Sequence, residues 1–182
     1  MCPPCNSQNL SINGTTISQV DTTKFLGVHI DEHLTWREHI RNISAKIAKN
    51  VGILQRVSYV IPPSIRLKLY YSLVYPYLSY CNLIWASTYK SRLHKLVILQ
   101  KRAVRAIAGI SYRTHTSPTF LEFKLLKFHQ IKTYQIGVFM YRYANGSLPP
   151  VFKGYFQQGS DLHPYFTRRS NQYRTFNAYS NS

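Results

Sequence analysis

Acidic residues are scarce in this chain. Its 182 residues include six aspartates and glutamates against 23 lysines and arginines, which gives a formal net charge of +17. A protein this basic usually contacts a polyanion, of which nucleic acid is the commonest and an anionic membrane surface is the other candidate. A basic protein with no specific partner is the plain alternative.

Long apolar runs are also absent. None approaches the roughly 18 residues that a membrane span needs. The first residues, MCPPCNSQN, lack the basic start and apolar stretch of a signal peptide. We therefore expect an intracellular chain that is not secreted and has no membrane partner.

Cysteine and metal-site patterns are sparse. Cys2 and Cys5 have the spacing of zinc ligands, but no second C-x-x-C and no H-x₃-H follows. Cys81 lies in an apolar helical pattern and is predicted to pack in the core. His29, Asp31 and His33 alternate, so they would share a face only if the strand continued past Asp31. We expect the strand to end there, which separates the three side chains.

Motifs for catalysis are missing as well. The chain has no phosphate-binding glycine loop, no G-x-S-x-G and no pair of aspartates at a predicted hairpin tip. We therefore predict no catalytic residue, no metal site and no cofactor in this chain.

The N-terminal residues predict strands. Asn13-Gly14 between alternating apolar residues, in 10–20, is a strong signal for a tight hairpin. Residues 24–31 are predicted as the next strand, so that the first thirty residues form a small antiparallel sheet.

The rest of the chain predicts helices. Thr35 with Glu38 fits a capping box, and Asp31 and Glu32 add negative charge ahead of that helix. Its apolar face is predicted at Trp36, Ile40, Ile43, Ile47, Leu54 and Val57.

A second helix is predicted over 64–85, mostly buried and kinked or split at Pro76. A third, over 89–108, has two distinct sides and ends at Gly109. Helical patterns then run over 119–144 and stop at Asn145-Gly146. The fold class is α+β, mainly α, with residues 150–182 as a basic aromatic tail that is poorly ordered by itself.

Basic residues interleaved with aromatics are the main functional signal. Lysine and arginine neutralise phosphates, and aromatic rings stack on bases. The third helix predicts a basic side opposite the apolar side of Leu93, Leu96, Val97, Val104 and Ile107; the basic side holds Lys90, His94, Lys95, Lys101, Arg102 and Arg105. The alternative is a free-standing basic helical module that binds protein or nucleic acid.

Three motifs in order resemble one family. KFLGVHIDEHLTWREHI, which starts at Lys24, resembles the K-[FY]-L-G-V-x-[IL]-D-x-x-L-x-W-x-x-H-I segment of non-LTR retrotransposon reverse transcriptases of the jockey and CR1 type. VYPYLSY from Val74, followed by Trp85, resembles the family's V-x-P-x-L-x-Y-x-x-x-x-W. LVILQKRAVRAIAG from Leu96 resembles its L-x-x-L-Q-x-x-A-x-R-x-I-x-G, and H-P-Y-x-T-R at His163 resembles a later motif.

The resemblance implies that this is a C-terminal part of such an enzyme. It implies terminal palm strands over 1–33, a helical thumb-like domain over 34–110, a helical connection over 111–149 and the tail over 150–182. The aromatic-x-Asp-Asp of the polymerase site is absent from this sequence. RNA-templated DNA synthesis with Mg²⁺ is therefore implied only for a full-length relative that has palm and fingers.

What the resemblance carries over is the handling of nucleic acid. It places Phe25, Leu26 and Gly27 at a hairpin that holds the primer end. The expected partner is an RNA–DNA hybrid or primer–template duplex, bound through phosphates without reading sequence. The predicted nucleic-acid-binding residues are Phe25, Leu26, Gly27, Lys46, Lys49, Arg56, Lys90, Lys95, Lys101, Arg102, Arg105, Arg168 and Arg169.

Overall fold

Short strands precede a series of helices, as the sequence predicts. A computed structural model describes residues 10–158 and 173–175. The described residues fall into two compact units that divide between Thr133 and Tyr134. The predicted class, α+β and mainly α, is confirmed.

The N-terminal strands form two separate antiparallel hairpins. Strands β1 (Leu10–Ile12) and β2 (Thr15–Ile17) pair across the predicted Asn13-Gly14 turn. Both turn residues have positive φ, 50° and 76°, as a two-residue type I′ turn requires. Strands β3 (Thr22–Phe25) and β4 (Val28–Asp31) pair with each other and not with the first hairpin.

The single strand predicted over 24–31 is wrong. Leu26 and Gly27 turn the chain with φ values of 45° and 83°, and Phe25 pairs with Val28 across them. A leucine rarely adopts positive φ, so the sequence gives little sign of a turn here.

The predicted capping box of the first long helix is also wrong. Helix α1 (Arg37–Val57) begins after Trp36, whose φ is 62° and whose side chain makes no capping hydrogen bond. Asp31 accepts hydrogen bonds from the N–H groups of Thr35 and Trp36, each at 2.7 Å. Glu38 instead accepts bonds from side chains one turn further along the helix.

The segment predicted as one kinked helix is split, as Pro76 indicated. It forms α2 (Pro63–Leu73), α3 (Tyr75–Ser79) and α4 (Asn82–Trp85), with Pro76 in the first turn of α3. The expectation that most of this surface is buried is wrong in part, because four of its large side chains are exposed: Ile65, Tyr71, Tyr80 and Ile84.

Helix α5 (Lys90–Ala108) ends at Gly109, as predicted, with that residue in the left-handed conformation. The helix predicted over 119–144 is two helices, α6 (Ser117–Glu122) and α7 (Phe128–Ala144). Residues 123–127 interrupt them, and Lys124 there has a φ of 51°. Gly146 has a φ of 63° and ends α7 as expected.

The core of the first unit is helical. Helices α1 and α5 pack against each other, and α2–α4 and α6 complete the core. Trp85 is fully buried at its centre. The indole stacks on Phe128 at 5.9 Å between ring centroids, meets His39 edge-on at 5.5 Å, and donates to the Tyr80 carbonyl oxygen at 2.9 Å.

The second unit contains an aromatic cluster. The Tyr143 hydroxyl lies 3.0 Å from the carbonyl oxygen of Phe156 and 3.2 Å from its N–H. Phe139 meets Phe152 edge-on at 5.5 Å between centroids. A 3₁₀ helix covers Pro150–Phe152, and strands β5 (Phe156–Gln158) and β6 (Tyr173–Thr175) pair antiparallel.

Most of the predicted tail, 150–182, lies outside the described residues, as do Arg168, Arg169 and the Cys2–Cys5 pair. Among the described residues, no helix is both long and apolar enough to cross a membrane.

Candidate nucleic-acid interface

One side of α5 is basic and exposed, and we call it the basic face. Lys90, Lys95, Lys101 and Arg102 are exposed there, together with His94. Arg105 is half-buried, and its Nε–H donates to the Thr114 carbonyl oxygen at 3.1 Å. The opposite side supplies the core through Leu93, Leu96, Val104 and Ile107, with Val97 half-buried. The predicted two-sided character of this helix is confirmed.

The charge on the basic face is not compensated. Over residues 10–158 and 173–175, Glu38 forms an ion pair with Arg41, and Glu32 lies 3.0 Å from the exposed imidazole of His33, a contact that is an ion pair only when the imidazole is protonated. The sequence of α5 contains no acidic residue. Its cations therefore create a positive potential that favours an anionic ligand.

Helix α1 adds further exposed cations. Lys46, Lys49 and Arg56 all lie on its solvent side. The Lys46 ammonium lies 5.8 Å from the ring centroid of Tyr77 on α3, within the range of a cation–π contact. All three predicted binding residues of α1 are thus accessible. Arg41, which was not among them, is paired with the Glu38 carboxylate.

The turn of the β3–β4 hairpin, residues 25–27, is the second predicted contact, and we call it the hairpin tip. Phe25 and Leu26 are 63% and 72% exposed. The Tyr80 hydroxyl donates to the Leu26 carbonyl oxygen at 2.7 Å. A Cβ on Gly27 would meet the Tyr80 ring at an ordinary 3.9 Å. The glycine is therefore needed for its positive φ and not for space.

His39 holds the same hairpin to α1. Its Nδ1 accepts a hydrogen bond from the His29 N–H at 3.3 Å, so this nitrogen carries no proton. The side chain is buried, and burial lowers the pKa of His39, with smaller contributions from His29 and Lys46. The neutral form therefore suits both the hydrogen bond and the surroundings.

Asp31 ties the end of the hairpin to the start of α1. Desolvation by itself would raise the pKa of Asp31, but the N–H groups of Thr35 and Trp36 outweigh it and lower that pKa. β4 ends at Asp31, as expected. Over the described ranges no three metal-ligating side chains come together. The hydrogen bonds of Asp31 thus fix the loop that leads into α1.

Among the buried polar residues, Gln100 and Arg66 were not predicted to be buried. Gln100 donates through Nε2 to the Tyr70 hydroxyl and the Leu126 carbonyl oxygen, and accepts through Oε1 from the Phe128 N–H. Arg66 donates to the Ala106 carbonyl oxygen at 2.8 Å. Gln100 falls on the apolar side of the predicted α5 wheel, which was a usable signal. Nothing in the sequence marks Arg66.

Comparison with known proteins identifies relatives over the larger part of the chain. It is 32% identical over 124 residues, 65% of its length, to the RNA-directed DNA polymerase from mobile element jockey of Drosophila melanogaster. Identity is 27% over 122 residues to the jockey polymerase of Drosophila funebris. It is 26% over 118 residues to a probable RNA-directed DNA polymerase from transposon X-element of Drosophila melanogaster.

These matches cover 13% of each of the three relatives. No family model and no solved structure matches the chain significantly. The predicted resemblance to non-LTR retrotransposon reverse transcriptases is confirmed, and the matched part of the chain is similar to a fragment of such a polymerase.

Proposed function

We propose that this chain, which matches a fragment of a non-LTR retrotransposon RNA-directed DNA polymerase, binds primer–template nucleic acid without reading its sequence. The uncompensated basic face of α5 is the observation that carries the proposal. In this proposal the helices act as a thumb-like element inside the cell.

The length of the basic face suits a nucleic-acid backbone. Lys90 and Arg105 are 15 residues apart, about 22 Å along a helix. In a B-DNA duplex the phosphates of one strand are spaced by about 3.4 Å when measured along the duplex axis, so the face extends past several of them. Lysine and arginine contacts of this kind position a duplex but carry no sequence information.

The hairpin tip supplies a contact of a different kind. The exposed Phe25 and Leu26 offer apolar surface for the sugar and base at a strand end. The resemblance supports this role, since the family's matching segment implies a primer-holding hairpin. Tyr80 and His39 keep the hairpin in position for it.

We assign DNA synthesis itself to a longer chain. The aromatic-x-Asp-Asp of the polymerase site does not occur in this sequence. Polymerisation with Mg²⁺ would then depend on a palm and fingers, which are the proposed protein partners of these helices and hairpins.

Binding to a labelled RNA–DNA hybrid at 50–200 mM salt tests the proposal. The triple variant Lys95→Gln, Lys101→Gln, Arg102→Gln should weaken binding. It should also reduce the magnitude of the slope of log K against log salt concentration by about two to three. The control triple Lys132→Gln, Arg142→Gln, Lys153→Gln removes the same charge outside the basic face and should change the slope less. Hybrids of unrelated sequence should bind alike.

Two results would argue against sequence-independent nucleic-acid binding through the basic face. One is no binding even at 50 mM salt. The other is an equal effect of both triple variants, which would mean that only net charge matters. The alternative, a protein-binding module, is favoured by exposed apolar side chains such as Ile12, Val20 and Phe25. Apolar docking would not weaken steeply as salt rises.

A further inference from the structure

A cleft of about 300 Å³ opens in the first unit between α5, α6 and the start of α7. Its apolar wall includes Val97, Phe120 and Phe128. We call it the α5–α7 cleft. Its polar lining is basic or neutral, with no carboxylate: Gln100, Lys101, His115, Thr116, Ser117, Lys127 and His129.

Lys127 is the most confined cation of this cleft. Its side chain is half-buried, and its Nζ lies 3.4 Å from the Ser117 Oγ and 5.9 Å from the Phe120 ring centroid. Neither ion pair of the described residues involves Lys127 or Lys101. A partly desolvated ammonium without a counter-charge is unfavourable, so an anion in the cleft would stabilise it.

The shape and charge of the cleft favour a phosphate monoester. Such a group carries about −1.5 to −2 charges and three acceptor oxygens. Two lysines, two histidines and the Ser117 hydroxyl can supply donors around it. An internal phosphodiester carries a single charge, and its chain continues on both sides. An open groove suits that group better than a recess between three helices.

We infer that the α5–α7 cleft binds the terminal phosphate monoester of a nucleic-acid strand. Lys101 belongs both to the basic face and to the cleft lining. A strand bound along α5 could therefore place its terminal phosphate in the cleft. That the phosphate belongs to a nucleic-acid strand rests on the proposed function. That the cleft favours an anion rests only on its lining residues.

Fluorescence anisotropy with matched oligonucleotides tests the inference. The oligonucleotides share one sequence and end in a 5′-phosphate, a 3′-phosphate or hydroxyls only. At least one phosphorylated form should bind about tenfold tighter than the hydroxyl form, as expected for charge-assisted hydrogen bonds. Lys127→Gln should bring this ratio close to one, and Ser117→Ala should lower it.

Lys95→Gln is the matched control. Lys95 lies on the basic face but not among the lining residues of the cleft, so this variant should weaken all three oligonucleotides alike and leave the ratio unchanged. Thermal unfolding of each variant checks that it is folded. Equal binding of all three oligonucleotides by the wild-type chain would overturn the inference.

A second measurement separates this inference from the proposed function. Inorganic phosphate, added without nucleic acid, should shift the amide NMR signals of Thr116, Ser117 and Lys127, and Lys127→Gln should reduce the shifts. If phosphate shifts them but no oligonucleotide binds, the proposed function fails and the cleft takes free phosphate instead of a strand end. If neither effect is seen, the cleft is not a phosphate site.

Discussion

The helices of the first unit and the N-terminal hairpins are held in place in different ways. Helices α1 and α5 bury continuous apolar faces against each other. All four residues of β3 are exposed, and so are Ile12 and Ile17 of the first hairpin. A two-stranded hairpin is marginal by itself, so the second hairpin depends on the burial of Val28 against the helices and on a few hydrogen bonds to the helical part. The helical part carries its own core, whereas the strands need support from outside their own sheet.

Removing the central indole should have the largest effect. Trp85→Ala deletes a fully buried side chain with its stacking on Phe128. We expect a loss of about 3–5 kcal/mol in the free energy of unfolding, measured by urea denaturation. The control Tyr59→Ala changes a side chain that is 94% exposed and should stay within about 0.5 kcal/mol. Similar losses for both would mean that the helical core is misassigned.

A side chain at Gly109 should be the next most damaging change. Its φ is 69°, and an added Cβ would lie 3.3 Å from Nη1 of Arg66. Gly109→Ala should cost about 1–3 kcal/mol in thermal or urea unfolding. Gly52→Ala, inside α1 with nothing within 4 Å of the added Cβ, should instead stabilise by up to about 1 kcal/mol. A larger loss of unfolding free energy for Gly52→Ala than for Gly109→Ala would contradict this account of the end of α5.

The junction between the two regions can be broken at Asp31. Asp31→Ala removes the acceptor of the Thr35 and Trp36 N–H groups and should cost about 1–2 kcal/mol. Hydrogen exchange of those two amides should speed up more than that of core amides in α5. Asp21→Ala, at an exposed acid, is the control and should leave both amides unchanged.

Acid should loosen the hairpin before it unfolds the helices. The pKa of His39 is below its ordinary value of 6.5, so the unfolded chain takes up protons more readily than the folded one. The stability contributed by neutral His39 is present above pH 6.5 and is lost as the pH falls through the lowered pKa. Asp31, whose pKa is also lowered, adds a further loss below about pH 4.

Hydrogen exchange of the His29 amide against pH measures this effect. The groups around His39 are His29, Lys46 and the Trp85 ring, and none of them offers a counter-charge to an imidazolium. His39→Gln should flatten the dependence between pH 7.5 and 5. Protection of the His29 amide that does not change with pH would show that Nδ1 is not its acceptor.

The first hairpin should tolerate substitution best. Ile12 and Ile17 are 62% and 46% exposed, so Ile12→Thr with Ile17→Thr should change the free energy of unfolding by no more than about 0.5 kcal/mol. A loss above 1 kcal/mol would place this hairpin with the core and remove the contrast between the two regions.

Regular periodicity made much of the helical part predictable. The two sides of α5, the split at Pro76 and the Asn13-Gly14 turn each follow from one local signal, and the structure has all three. The Leu26-Gly27 turn and the break at Lys124 place ordinary residues at positive φ. Tertiary contacts impose that conformation, so no local pattern announces it.

The candidate site was predictable only where it depends on local sequence patterns. Periodicity places Lys95 and Lys101 on the exposed side of α5, and the resemblance indicates the hairpin tip. The α5–α7 cleft brings Lys101 and Lys127 together from different helices, and such a juxtaposition depends on packing. Their binding to nucleic acid remains a prediction.

The shortage of carboxylates has a consequence for the free protein. Over residues 10–158 and 173–175, Glu38 with Arg41 is the ion pair that does not depend on a protonated histidine. With a net charge of +17, like charges therefore repel one another throughout the fold. Dissolved salt screens this self-repulsion, so moderate salt should raise the melting temperature of the unbound chain. The same salt weakens its hold on phosphates. The salt concentrations that best stabilise the free protein are thus those at which it binds nucleic acid most weakly. At low ionic strength, bound nucleic acid should itself stabilise the folded state.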